Sequence, residues 1–558
     1  MPLGEASSST LVQTSSHDEY YLAHDNTTEG QPLVHDNTTE GQPLVHHSTT
    51  DGHQPEAFDF KVERPQSIAG EVLFVAVICS SQLLTQAGLA LSIVPQRSIG
   101  RSFGIEDQPG QLSWFSAGYS LTVGTFILIA GRFGDVFGHK SFFVGGYAWF
   151  AFWSALAGGT VYSGHGFFIF CRTMQGIGPA FLLPNAIAIL GRCYDPGRRQ
   201  NMIFSLFGAT APGGFLLGAV FSSLLSQFAG WPWAYWVLSF TCLSLAILGV
   251  VAIPATPVPS NSKKPGGPSI WQRVDIYGSI TGVAALVLFN FAWNQGPVVG
   301  WQTPYTYFIM IIGILIFGVF VLVEKRVSLH PLIPFGVLRM EALFTLACIS
   351  AGWSSFGIVV YYTWNILEVL RGQTPLLNSA QFTPVAISGL CAALTTGLAL
   401  THFRTSTVML IAMTFFLIGG IIFATMPVHQ IYWAQTFVGL IVLPLGMDMS
   451  FPAGTIILSR AVPRQHQGLA ASLVNTFVNY SISLGLGLAG TVEGQVNDGG
   501  KDILQGYRGA LYMAVGLSGL GVAVALVFCF VERRQAKISE KEGQPESQTE
   551  SQRRDEIV

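Results

Sequence analysis

Arg172 and Asp448 stand inside long apolar stretches of the chain, where an unpaired charge costs several kcal/mol. Asp448 lies in Gly446-Met447-Asp448-Met449-Ser450-Phe451-Pro452, close to a proline that breaks a helix. A carboxyl held there can load and release a proton as water reaches it from one side and then the other; a hydrogen-bonded packing acid near a kink is the plainer reading. Arg172 heads the run Arg172-Thr173-Met174-Gln175-Gly176-Ile177-Gly178-Pro179-Ala180. It either faces a polar cavity or takes part in coupling; the bland alternative is a side chain snorkelling to the membrane surface. Asn475 and Asn479 are four apart and share a helix face. With Gln86, Gln175, Trp353, Tyr361, Tyr362 and Asn365 they could line a cavity for a small polar or amphipathic solute, or act as polar glue between helices. No nucleophile–base cluster, metal triad or phosphate loop accompanies them, so the expected chemistry is binding and proton movement, without enzyme activity, metal or cofactor.

Membrane spans must position these groups. Of 558 residues 50% are hydrophobic and only 11% charged, against roughly a quarter charged in ordinary soluble domains. The 62 glycines suit helices that pack backbone to backbone. The net charge of −3, with no basic block outside the tails, excludes nucleic acid as a partner. Seven cysteines lie in or beside apolar runs without ligand spacing and read as small apolar side chains.

Runs long enough to cross a bilayer fall near 72–94, 112–131, 141–161, 166–190, 201–225, 233–253, 275–293, 304–323, 342–366, 379–400, 407–426, 431–457, 467–491 and 509–531, fourteen in all. The even-numbered connections hold fourteen Lys and Arg and the odd-numbered ones five, which puts both termini in the cytosol. Residues 1–70 form a polar tail, expected to be disordered, with a perfect 11-residue tandem repeat, His24–Val34 and His35–Val45. Its histidines could hold a metal weakly, though a slippage-derived repeat is the simpler account. Its sequons at Asn26 and Asn37 are silent in a cytosolic tail. Nothing at the start reads as a cleavable signal peptide. Residues 254–274, rich in Pro, Ser, Gly and Lys, read as a cytosolic linker, and 532–558 as a solvated cytosolic tail.

Between the second and third runs lies Gly131-Arg132-Phe133-Gly134-Asp135-Val136-Phe137-Gly138-His139-Lys140, which must form a very short, basic turn at the membrane surface. This string resembles the signature loop of the major facilitator superfamily, G-x-L-x-D-x-x-G-R-K. Gly131, Asp135, Gly138 and Lys140 fall on the pattern, Phe133 replaces the leucine and His139 the arginine. The Arg172 run is similar to that superfamily's fourth-span pattern R-x-x-Q-G-x-G-A, with Pro179 between Gly178 and Ala180. In the fifth run, Gly208-Ala209-Thr210-Ala211-Pro212-Gly213-Gly214-Phe215-Leu216-Leu217-Gly218 resembles a variant of the antiporter motif. Pro212 supplies the kink and Gly214 and Gly218 a smooth packing face, but the glycines before the proline are replaced. The first run lacks the acid of the L-D-x-T-x-x-N-x-A-L-P pattern of many fourteen-span drug:proton antiporters, having Thr85-Gln86 there. Its Cys79-to-Gly88 wording, and Asn475 to Gly485 in the thirteenth run, resemble the fungal branch typified by aminotriazole-resistance and boron-export pumps.

The resemblance implies an all-α membrane protein of the major facilitator fold: a six-helix half over 71–253, an inserted helix pair and following loop over 275–340, and a second half over 341–531. It implies alternating access, with Gly131, Arg132, Asp135, Gly138, His139 and Lys140 as the latch and Arg172 and Asp448 as coupling candidates. The expected activity is proton-coupled export of a toxic compound or secondary metabolite, the function of a multidrug-resistance efflux pump. The expected working unit is a monomer in the plasma membrane, with the vacuolar membrane as the alternative. An uptake facilitator for an ion or nutrient, or a transporter-like sensor, are the rival readings.

Overall fold

The computed structural model describes residues 67–195, 197–254, 269–329, 331–333, 340–461 and 467–542; the tandem repeat, the sequons and most of the expected linker lie outside them. All regular structure among the described residues is helical. The first half holds α1 (Ile68–Ile93), the short α2 (Gln96–Phe103), α3 (Pro109–Phe137), α4 (His139–Gly159), α5 (His165–Gln175), α6 (Ile177–Cys193), α7 (Arg198–Phe228) and α8 (Pro232–Ala252). A short α9 (Ile270–Val274) leads into the pair α10 (Ile276–Val299) and α11 (Pro304–Arg326). The second half holds α12 (Met340–Asn365), closed by a π turn at Ile366–Leu370, then α13 (Pro375–Gln381), α14 (Thr383–His402) and α15 (Thr405–Ala424). It ends with α16 (Gln435–Ala461), α17 (Gln467–Val496) and α18 (Ile503–Glu542).

Among the described residues twelve rods, counting α5–α6, α9–α10 and α13–α14 as one each, are long and apolar enough to cross a membrane. The remaining two expected positions, near 141–161 and 467–491, are occupied by α4 and α17, whose Gly, Ser, Asn and aromatic residues lower their mean hydropathy. Of the twelve, α11 is the most apolar and the least buried, as a helix facing lipid must be. Prolines open α3, α8, α11 and α13, where a missing N–H costs nothing. Ser67 caps α1 by accepting from the Gly70 N–H at 3.1 Å.

Within the first half α1 lies on α7, α4 on α8 and α3 on α6; within the second, α12 and α15 lie on α18 and α16 on α14 and α15. Across the halves α3 runs along α17 and α7 meets α14, while α10 and α11 pair beside them. Such close approach needs helices without side chains at the crossing. A Cβ on Gly124 would come 2.7 Å from the backbone nitrogen of Tyr480.

Two expectations change. The turn expected over Gly131–Lys140 is a single residue: α3 runs on through Phe137, Gly138 turns the chain at φ 102°, and His139 starts α4. Only glycine adopts that angle at little cost, and the helix outlasts the apolar run because its polar side chains find partners at its end. The tail expected from 532 begins as helix, since α18 continues to Glu542; Ser406 of α15 donates to Glu532 there.

Candidate functional site

A cavity of about 110 Å³ lies between the two halves. Gln82, Thr85, Gln86 and Leu89 of α1 and Phe207, Pro212 and Phe215 of α7 form one wall. Trp353 and Phe356 of α12, Val385 of α14, Met447, Asp448 and Phe451 of α16, and Asn475, Asn479 and Ile482 of α17 form the other. The lining is aromatic and amide, a surface for an amphipathic organic solute. Trp353 Nε1 donates to Ser450 Oγ at 3.2 Å, and Asn479 donates to the Asn475 carbonyl at 3.0 Å, which fixes both side chains against their own half.

Asp448 is the one ionisable side chain among the described lining residues. It stands midway along α16, where its Oδ2 is buried and has no hydrogen-bond partner among the described residues. That oxygen faces α14 at Gly389, where an added Cβ would come 2.5 Å from it, and the same Cβ would lie 3.0 Å from Pro212 of α7. The carboxyl therefore stands where the halves meet.

Four cavity candidates sit elsewhere, among them Tyr362, which is buried and donates its hydroxyl to Glu493. Gln175 is fully buried within the first half, donating to Ser154 Oγ at 2.5 Å and accepting from Arg172. Tyr361 and Asn365 lie at the end of α12 away from Gly138 and do not line the cavity. Asn365 Oδ1 instead accepts from Gln96 Nε2 at 2.9 Å, a bond between the halves. Ser223 of α7 and Ser379 of α13, 2.7 Å apart, make a second bridge between the halves.

Arg172 is also withdrawn from the cavity, with no exposed surface. Nη2 donates to the Gly88 carbonyl and to Ser92 Oγ, both at 2.8 Å, and Nε to the Phe115 carbonyl at 3.2 Å. Its guanidinium lies 4.6 Å from the Tyr119 ring centroid and 5.5 Å from that of Tyr235. A buried cation balanced by carbonyls and aromatic faces binds α1, α3, α5 and α8 into one body. Beside it the chain breaks between α5 and α6 at Gly176, where a Cβ would strike Thr122 and the Tyr119 carbonyl of α3; one on Gly178 would come 2.7 Å from Phe150 of α4.

The signature residues tie five elements together. Asp135 Oδ1 lies 3.3 Å from His139 Nε2 and 3.4 Å from Arg192 of α6. The other ring nitrogen of His139 is 2.7 Å from Asn185 Oδ1. Lys140 Nζ donates to the carbonyls of Val250 and Ile253, at 2.8 and 2.6 Å, a cation set on the C-terminus of α8. Arg132 Nε donates to the Arg273 carbonyl at 2.7 Å, which fastens α3 to α9 and the inserted pair. Gly131 faces Pro184 of α6 and Ser472 of α17, so the end of α3 touches both halves.

Three further buried acids lie at or just beyond the limits of the expected spans. Glu493, near the end of α17, accepts from the Tyr362 hydroxyl at 2.7 Å. Asp275 and Glu324 meet at the base of the inserted pair, where Asp275 accepts from the Gly278 N–H and Glu324 from the Ile333 N–H, each at 3.2 Å. For Glu493 a signal existed: it lies eighteen residues from Asn475, about five whole turns, so the two share a face of α17.

Residues 76–360 and 342–556 match the family described as Major Facilitator Superfamily. The chain is 61% identical over 487 residues to a low affinity ammonium transporter of Saccharomyces cerevisiae, covering 87% of this chain and 94% of that one. It is 47% identical over 480 residues to the efflux pump terJ of Aspergillus terreus, with 86% and 92% covered. Identity to the aminotriazole resistance protein of Saccharomyces cerevisiae is 38% over 475 residues, with 84% and 86% covered. A peptide transporter solved in complex with sulfate shares the fold, with a TM-score of 0.56 at 15% identity over 82% of this chain and 94% of that one.

Proposed function

Because the chain belongs to the major facilitator superfamily, among the drug transporters that include fungal efflux pumps, we propose that this transporter exports a small amphipathic compound in exchange for protons. The observation that carries the reading is the cavity itself: amide and aromatic walls from both halves, and one acid, Asp448, aimed at their junction. Both termini lie in the cytosol of a monomer that crosses the plasma membrane fourteen times, so the Gly138 end faces inward and the Gln96–Asn365 end outward. Export proceeds by rocking of the halves, with a proton on Asp448 as solute leaves outward and off it as solute enters from the cytosol. Arg172 serves as the rigid centre of the first half; its coupling role acts through α1 and α3, which it holds in place.

Inside-out vesicles from cells that overproduce the chain, acidified within, should accumulate exported compounds from a panel that includes aminotriazole, and a protonophore should abolish the accumulation. The 61%-identical relative favours a second reading, entry of ammonium. Methylammonium uptake that scales with expression, with no compound of the panel exported, would replace the first reading by the second.

In this scheme the Asp135 bridges form and break with each cycle. Asp135 is about half exposed, so its ion pairs contribute about 0–1 kcal/mol to stability. Asp135→Asn should therefore leave the melting temperature in detergent nearly unchanged and slow turnover more than it weakens solute binding. Parallel loss of binding and turnover would mark a folding role instead.

A further inference from the structure

The stripe of α17 that lines the cavity at Asn475 and Asn479 continues outward to Glu493. Its carboxyl is buried and receives one hydrogen bond from a side chain, from the Tyr362 hydroxyl at 2.7 Å. The surrounding titratable groups are tyrosines: Tyr361 and Tyr362 of α12, their rings 5.1 Å apart, and Tyr507 of α18, 5.7 Å from Tyr362. The charged groups nearest this cluster are Arg97 of α2, which lies towards Tyr361 and Tyr507, and Glu368 of the π turn, which lies towards Tyr507. Three residues after Tyr362, the same helix ends in Asn365, which holds Gln96 of the first half.

We propose that Glu493 is a second proton-carrying residue, placed under the outer closure, and that Tyr362 relays its protonation to the Gln96–Asn365 bond. The inference rests on the proton-coupled reading above. When the halves part on the outer side, external water delivers a proton to the Glu493 carboxylate; when they close, that proton leaves towards the cavity, and no other covalent bond changes. A protonated carboxyl no longer offers Tyr362 the same charged acceptor, so the outer end of α12 repacks and its hold on Gln96 loosens. Asp448 at midplane and Glu493 near the outer end then form two stations on one path.

The test needs no solute. Infrared difference spectra of the purified full-length protein, taken on acidification, read the C=O band of carboxyls that gain a proton. One component of that band should vanish in Glu493→Gln, a different one in Asp448→Asn, and the Glu493 component should shift in Tyr362→Phe, which leaves the carboxyl in place but removes its donor. A Glu493→Gln spectrum superimposable on that of the unaltered protein overturns the proposal. Where Glu493→Gln fails to fold, Tyr362→Phe decides, and an unmoved band is then the contrary result. Absence of transport driven by a pH gradient in the unaltered protein would overturn the function above, while the carboxyl bands would still show whether Glu493 exchanges a proton.

Discussion

Asp448→Asn is expected to abolish transport driven by a pH gradient while the protein stays in the membrane at its normal level. Among the described lining residues Asp448 alone can carry a proton, and its Oδ2 faces Gly389 of α14 without a hydrogen-bond partner among the described residues. Asparagine keeps the shape and removes the exchangeable proton. Burying a carboxylate costs more than burying an amide, so the fold should not suffer from the change. In the unaltered exporter, acid outside supplies the proton, so export should fall as external pH rises. In the variant the rate should be flat with external pH, and solute should only equilibrate across the membrane. Vesicles loaded with the exported compound and diluted into buffers of stepped pH give both curves. An unchanged slope in Asp448→Asn would remove this residue as the carrier.

How legible this architecture was in sequence depended on which force set each feature. Long apolar runs are fixed by bilayer thickness, which is why helices stand at all fourteen expected places and α7, α10 and α14 start within a few residues of their expected limits. The ends were harder. An apolar run stops where the lipid stops, whereas α3 and α18 continue because Arg132 and Glu532 find partners beyond it. The same error hid Glu493, which lies two residues past an expected boundary yet is buried by the tyrosines of α12 and α18. Side-chain direction was least legible. Arg172 and Gln175 carry the polarity of cavity residues, but their helix turns them inward, where backbone carbonyls of α1 and α3 satisfy the guanidinium. Asn365 likewise bridges the halves at one end of the cavity. The aromatic lining from Phe207, Phe215, Phe356 and Phe451 had no signal at all, because phenylalanine is common throughout the chain and spacing does not say which face meets the other half.

Gly213 and Gly214 are adjacent, and alanine at each should act in opposite directions. Gly214 faces α1: a Cβ there would come 2.8 Å from the Leu83 Cα and carbonyl carbon, distances that real Cβ atoms essentially never show. Four residues on, a Cβ at Gly218 would meet the backbone of Ala87 at 2.5 Å. These atoms are backbone, so no rotamer change can make room, and α1 and α7 must move apart. Overpacking of this kind costs about 1–3 kcal/mol. It should also weaken solute binding, because Gln82, Thr85 and Gln86 on α1 and Phe207, Pro212 and Phe215 on α7 form one wall whose spacing this crossing sets. At Gly213 nothing lies within 4 Å of the same added carbon. Alanine there gains helix propensity of about 1 kcal/mol over glycine and disturbs no contact, so Gly213→Ala should be neutral or stabilising. Melting curves in detergent, with solute binding measured on the same samples, should separate the pair. Equal melting temperatures and equal affinities for the two variants would show that α1 and α7 do not meet backbone to backbone, and the cavity wall would have to be built differently.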